Sequence, residues 1–307
     1  QAAGLSPEWV VVSQLPALNR FRKPFVDAPD AGIFSALLVR LQNAPGDIAE
    51  GHYYFGDSDQ YGVPGATAYE DMWAIVLAEG HFAPVQSIHS DLVKTSYQVF
   101  VDADGRTRLT KDSLVYGSGF GELNKRYREM TPEERRRHYE ELVADISQSA
   151  QAVGDLKTDF EDYPGRIRFT VDIEDWAIRD GEYLYFSIPS SIGSAFYLRA
   201  DRRLNPLFLD ARRHMVEETS VECPPGFVPV IVPEGLSIDG FAGTQLDYDV
   251  EANEAKGGGV DIFAHTELIQ RPVVVPTSSY DELLKLSSTL THRKATTVVL
   301  KQSLDAN

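Results

Sequence analysis

Sulfur and positive charge are scarce in this 307-residue chain. Cys223 is its only cysteine, so no intrachain disulfide and no cysteine-based zinc site can form. The flanks of Cys223, VECPP, read as a strand ending in a turn, where a lone thiol behaves as a small buried hydrophobe. Lys and Arg total 29 against 46 Asp and Glu, a formal net charge of −17. That field repels phosphate backbones and anionic lipid, so no nucleic-acid partner is expected. No run reaches the ~18 apolar residues of a membrane span, and the opening residues lack a signal-peptide pattern. The seven histidines, at 52, 81, 89, 138, 214, 265 and 292, include no H-E-x-x-H pair. Nor is there a G-x-S-x-G elbow for a serine nucleophile. No metal or cofactor is expected.

Hydrophobic residues make up 43%, enough for a real core without staples. The patterning predicts an α+β chain that is mainly antiparallel β. Strand signals fall at 9–13, 34–41 and 52–55, separated by turn-rich loops such as DSDQYGVPG at 57–65. From Ser90, period-two alternation places Val93, Tyr97, Val99 and Val101 on one face, and Asp104-Gly105 between two such runs predicts a hairpin. Thr131, Pro132 and Glu134 form a capping box opening a helix over 131–153, with Tyr139, Leu142, Val143, Ile146, Ala150 and Val153 on one face and Gly154 as the stop. In RIRFTVDIE at 166–174, Ile167, Phe169, Val171 and Ile173 alternate with polar residues, as in a central half-buried strand, with EYLYFSIP at 182–189 as its neighbour. The segment 215–223 alternates less cleanly. Residues 245–251 and 259–269 predict a hairpin around NEAKGGG. Ser279 and Glu282 suggest a second capping box for a helix at 280–290, and a strand closes the chain at 297–301.

Few motifs carry chemistry on their own. D-x-D-G at 102–105 opens like a calcium loop, but its twelfth position is Ser113 rather than Glu, which leaves a hairpin turn. Asp57 and Asp59 could orient a catalytic His, bind calcium or make an Asx turn. GSGFGEL at 117–123 lacks the Lys-Ser/Thr of a phosphate loop and is expected to be a flexible connector. Arg135, Arg136 and Arg137 lie among Glu133, Glu134, Glu140 and Glu141, as in exposed i,i+4 pairs, with His138 on the solvent face.

Three stretches together resemble bacterial transglutaminase-like cysteine enzymes. AAGLSPEWVVVS resembles the segment after the nucleophile helix, GIFSALLVRL the next core strand, and YYFGDSDQYGVPG the strand that supplies the acidic triad member. Downstream, YREMTPEERRRHYEELV, RIRFTVDIEDWAIRDGEYLYFSIP and SSYDELLKLSSTL with TVVLK are similar to the β-rich domains of unknown function that flank such cores. The resemblance implies a partial transglutaminase-like core at 1–88, a β-rich domain at 89–198 with helix 131–153, and a second at 199–307 with helix 280–290, each sandwich-like with one packed helix. In that chemistry a His activates a Cys thiolate and an Asp orients the His. Here the nucleophile helix would precede Gln1, Ala36 stands where the His is expected, and only Asp57 or Asp59 remains of the triad.

Three functions follow as expectations. The first is a non-catalytic binding or scaffold protein, periplasmic or otherwise extracytoplasmic, partnered by an N-terminal segment of the same protein or by another protein. The second is a cysteine peptidase or amide hydrolase of the same superfamily, with its nucleophile on that N-terminal segment. The third is a carbohydrate-binding β-sandwich using Trp73, Trp176 or exposed tyrosines.

Overall fold

In a computed structural model, residues 7–22, 31–42, 52–55, 59–199, 201–255 and 259–303 are described. The chain is mainly antiparallel β with few helices. It divides into two compact units, one of residues 1–92, 115–129 and 160–165, the other of 93–114, 130–159 and 166–307. No described helix is long and apolar enough to cross a membrane.

The first unit holds β1 (Pro7–Pro16), β2 (Phe34–Gln42), β3 (His52–Phe55), β4 (Met72–Val76), β5 (His81–Pro84) and helix α1 (Ser118–Glu129). The five strands form one antiparallel sheet in the order β3-β2-β1-β4-β5. Val10 and Val12 of central β1 are fully buried and pack with Leu38, Ala74, Val76 and Val85. At the end of this row the buried Arg40 guanidinium donates to Glu8 at 2.9 and 2.6 Å and to Glu79 at 3.0 Å, so its charge is compensated.

The glycine-rich stretch at 117–123 is not a connector but opens α1. Gly117 turns the chain at φ +68°, and the Asp91 carboxylate accepts from the Ser118 N–H and hydroxyl, capping the helix. Gly121 lets the helix approach the turn at Gly62, since a Cβ there would lie 2.9 Å from the Gly62 Cα. Propensity alone disfavours a helix here, and these tertiary contacts override it.

The second unit holds β6 (Leu92–Val101), β7 (Thr107–Tyr116), α2 (Pro132–Ile146), β8 (Gln151–Asp159), β9 (Gly165–Ile173), β10 (Ile178–Asp180), β11 (Tyr183–Ser187), β12 (Leu207–Leu209), β13 (Arg213–Glu222), β14 (Phe227–Ile231), β15 (Leu236–Ile238), β16 (Thr244–Glu254), β17 (Val260–Gln270), β18 (Val273–Val275), α3 (Tyr280–Thr291) and β19 (Thr297–Gln302). Eight strands make one sheet in the order β15-β16-β17-β13-β6-β7-β9-β8, and a further four form β10-β11-β19-β14. β13 pairs antiparallel with β17 but parallel with β6, so residues from both expected spans, 89–198 and 199–307, lie in the same sheet. One face of this sheet is covered. Phe169, Val171 and Ile173 of β9 point into it beneath α2, where the Tyr139 ring meets Phe169 at 6.0 Å. Leu246, Tyr248 and Leu268 point into it beneath α3, which contributes Leu283 and Leu290.

Several local signals hold and others are overridden. The D-x-D-G segment is a hairpin turn, with Gly105 at φ +90° and Asp102 accepting from the Asp104 and Arg106 amides. The Thr131 capping box is fully formed. The helix, however, stops at Ile146, seven residues early, because Gln151–Asp159 pair with β9 as an edge strand; Gly154 then lies in that strand, where the register shifts. Val93 is 39% exposed rather than in the core row. The segment 182–189 does not neighbour β9 but pairs with β10 and β19. Ser279 makes no side-chain cap, because a 3-10 turn at Thr277–Ser279 precedes the helix. Arg136 and Arg137 pair with Glu133, while Arg135 donates to the Leu156 carbonyl and the Thr158 hydroxyl. His138 is half-buried rather than on the solvent face.

Phe169 is 3% exposed on a strand flanked by β7 and β8, so Phe169→Ala should cost about 3–5 kcal/mol in chemical denaturation. Thr131→Ala should cost about 0.5–2 kcal/mol through the lost cap. A loss below about 1 kcal/mol for the first would contradict this placement of β9.

Candidate functional site

The expected triad remnant lies in the first unit. Ala36 sits on β2 opposite Val12, which in turn faces Ala74 on β4, so the three form a cross-strand row of small apolar side chains. Val12 is fully buried and Ala74 nearly so, and the row belongs to the sheet's core face. The pairing of β2 with β3 covers Val39–Gln42 and does not reach Ala36. Asp57 lies outside the described residues, and Asp59 begins a short 3-10 turn at Asp59–Tyr61. A cavity of about 340 Å³ lies nearby in this unit, between the 62–68 loop, Tyr54 and the Ser118, Gly121, Glu122 and Lys125 side of α1.

Cys223 is 5% exposed, and its thiol points at the Val221 carbonyl at 3.9 Å. Burial, with Asp261 and Glu222 nearby, pushes the thiol up to about 12. It therefore carries almost no thiolate at neutral pH. Three of the histidines make other contacts. His214 meets Glu267 at 3.0 Å, His292 accepts from the Lys294 amide, and the His89 ring lies 5.3 Å from that of Tyr163. Among the described residues, no group of three or more His, Cys, Asp or Glu is placed to hold a metal ion. Trp73 is 8% exposed, with its indole N–H directed at the Leu18 carbonyl, so it offers no platform to a sugar.

The uncovered face of the eight-stranded sheet offers more. Three cavities of about 570, 380 and 500 Å³ lie on it. Its β7–β9 part is crossed by two-pronged ion pairs. Arg108 donates to both Asp172 oxygens at 2.7 and 2.8 Å, and Arg166 pairs in the same way with Asp112. The hydrogen bonds from Arg108 hold the Asp172 carboxyl below the usual carboxylate range. Across the seam, the β13–β17–β16 part is acidic: Glu218 and Glu222 on β13, Asp261 and Glu267 on β17, and Asp247, Asp249 and Glu251 on β16. His265 lies between Glu218 and Asp249 in one cross-strand row. Phe100 and Phe263 stand on this face 51% and 43% exposed.

Beneath the same seam, on the covered face, runs a polar strip that sequence reasoning missed. The buried Glu217 carboxylate accepts from the Ser191 amide at 2.7 Å and its hydroxyl at 2.6 Å. Thr95 and Ser113 share a hydrogen bond of 3.0 Å. The Lys111 ammonium lies 5.6 Å from the Tyr97 ring centre. Burial lowers the Lys111 pKa, against the attraction of Glu217 and Asp145, and burial raises that of Tyr97. The available signal was the irregular alternation of 215–223, which arises because Glu217 and Thr219 occupy inward positions.

No family model matches the sequence, and no curated protein does either. A proposed protease from Parabacteroides distasonis is similar in structure at 11% sequence identity and a TM-score of 0.47. The match covers 98% of this chain and 41% of that one, so this chain spans under half of that protein's length.

A thiol-reactive probe at pH 8 should label Cys223 slowly in the native protein and fast after denaturation. The folded state keeps this proton to about 12, whereas the unfolded thiol ionises near 9, so this group's stabilising contribution is complete below pH 9 and is lost as pH rises to 12. Native labelling as fast as that of the denatured chain would contradict the buried placement.

Proposed function

We propose that this chain is a non-catalytic binding or scaffold protein acting outside the cytoplasm, with a transglutaminase-like remnant at 1–88. The observation that carries this reading is the open face of the eight-stranded sheet. It is wide, carries three shallow open depressions, and presents two exposed phenylalanines among charged side chains. The small apolar row at Ala36 and the buried Cys223 favour binding over cysteine chemistry. Seven carboxylates on β13, β17 and β16 select a partner with cationic groups, and Phe263 among them offers an apolar anchor.

Two measurements test this. The purified chain should hydrolyse no amide or ester above background; turnover lost on Cys223→Ser would favour a cysteine hydrolase instead. A lysine-rich peptide should bind with an affinity that falls with salt. Glu218→Lys with Asp249→Lys should weaken it at least tenfold, while Glu140→Lys on the exposed side of α2 should leave it unchanged. Equal losses from both sites would mean nonspecific attraction to an acidic protein and would contradict the assignment of this face.

A further inference from the structure

The glycine-rich opening of α1 also shapes a recess in the first unit, separate from the open face of the large sheet. The loop that follows the 3-10 turn at Asp59–Tyr61 is fastened at two points. At its start the buried Asn124 side chain of α1 donates to the Tyr61 carbonyl at 2.9 Å and accepts from Arg128 at 2.7 Å. Gly121 and Gly62 bring the two backbones together beside this bond. Further along, the Gly65 carbonyl accepts from the Ile88 and His89 amides at 2.7 and 3.0 Å. The cavity of about 340 Å³ lies against this loop, so its walls are preformed. Small-molecule sites span about 300–1,000 Å³, which makes this one fit for a ligand of few atoms.

The lining divides by chemistry. Val63, Pro64, Ala66 and Ala68 present carbon on the loop side. The Tyr54 hydroxyl is engaged by the buried Arg40, which leaves its ring for the cavity. On the helix side stand two opposite charges, Glu122 and Lys125. They are three residues apart, a spacing at which such side chains reach each other. On α2, Glu133 and Arg136 use the same spacing for an ion pair at 2.8 Å. Glu122 and Lys125 do not, and among the described residues neither makes an ion pair with any other group. A ligand with one charge would match one of them and leave the other facing it unpaired. A zwitterion matches both. Groups at this helical spacing lie about 5–6 Å apart, a gap spanned by the adjacent ammonium and carboxylate of an α-amino acid. We propose that this cavity binds a free α-amino acid with an apolar side chain. Its ammonium meets Glu122, its carboxylate meets Lys125, and its side chain lies against Tyr54, Val63 and Pro64. Both protein charges are exposed, so each pair adds little and the affinity is modest, with a Kd of about 0.1–1 mM.

Titration of the full chain with L-leucine, followed by ligand-observed NMR, tests this. Leucine should saturate. N-acetyl-leucine lacks the ammonium, leucinamide lacks the carboxylate and glycine lacks the apolar body, so each should bind at least fivefold more weakly. Glu122→Gln and Lys125→Gln lie at exposed positions of α1 and should each weaken leucine at least fivefold with an unchanged circular dichroism spectrum. Ala68→Phe, which fills the cavity, should abolish binding, and Glu140→Gln on α2 should bind like the wild type. Absence of saturation at about 10 mM leucine overturns the proposal. So does equal binding of N-acetyl-leucine or leucinamide, or a loss with only one of the two α1 variants, which would mean a simple cation or anion site. Binding that survives in a folded Ala68→Phe chain places the ligand elsewhere and overturns it too.

Discussion

The parallel pairing of β13 with β6 is the constraint on which the second unit depends. Eight residue pairs, from Met215↔Val93 to Glu222↔Phe100, join two groups of strands that are each antiparallel hairpins or their extensions. Without it, β15-β16-β17-β13 and β6-β7-β9-β8 would each be a four-stranded sheet with a free edge. A parallel pair needs a long crossover, and the chain supplies one between Val101 and Arg213 that carries α2 and β8 to β12. The seam is polar on its covered side, where Glu217 pairs in register with Thr95. Burying that carboxylate is offset by two hydrogen bonds from Ser191 and by the nearby Lys111, so the strands have a specific register and not merely a greasy one.

The same seam creates the proposed binding surface. It places the acidic strands β13, β17 and β16 on one side of β6 and the Arg–Asp ladder of β7 and β9 on the other, so one uncovered face carries charge of both signs, with Phe100 of β6 between them and Phe263 among the carboxylates. Helices α2 and α3 both pack on the opposite face, which leaves this one free. A sheet with one covered and one open face is a natural platform for recognition, since its side chains are held by a rigid backbone.

Legibility followed the range of the signal. The Asp102–Gly105 turn and the Thr131 capping box depend on four or five consecutive residues and could be read directly. The strand read at 166–174 followed from period-two alternation, and the hairpin read at 245–251 and 259–269 from the turn-rich NEAKGGG between its arms; the structure places these strands at Gly165–Ile173, Thr244–Glu254 and Val260–Gln270. What failed depended on distant partners. The end of α2 was misplaced because Ala150 and Val153 continue its apolar spacing, while β-pairing with β9 claims the chain from Gln151. The segment 182–189 was assigned the wrong neighbour because its partner, β19, lies more than a hundred residues away. The open face is made of residues visible in the sequence, but which strands stand side by side is not. Glu217 was hard to place for the same reason: its partners Ser191 and Thr95 come from distant segments, and only the irregular alternation of 215–223 set it apart from the neighbouring Glu218.

Native-state hydrogen exchange tests the seam most directly. If β6 and β13 hold one eight-stranded sheet together, their amides should be the slowest in the second unit, and should open with the same free energy and the same denaturant dependence. Separate openings, with β13, β16 and β17 exchanging as one group and β6, β7 and β9 as another of different free energy, would contradict the account.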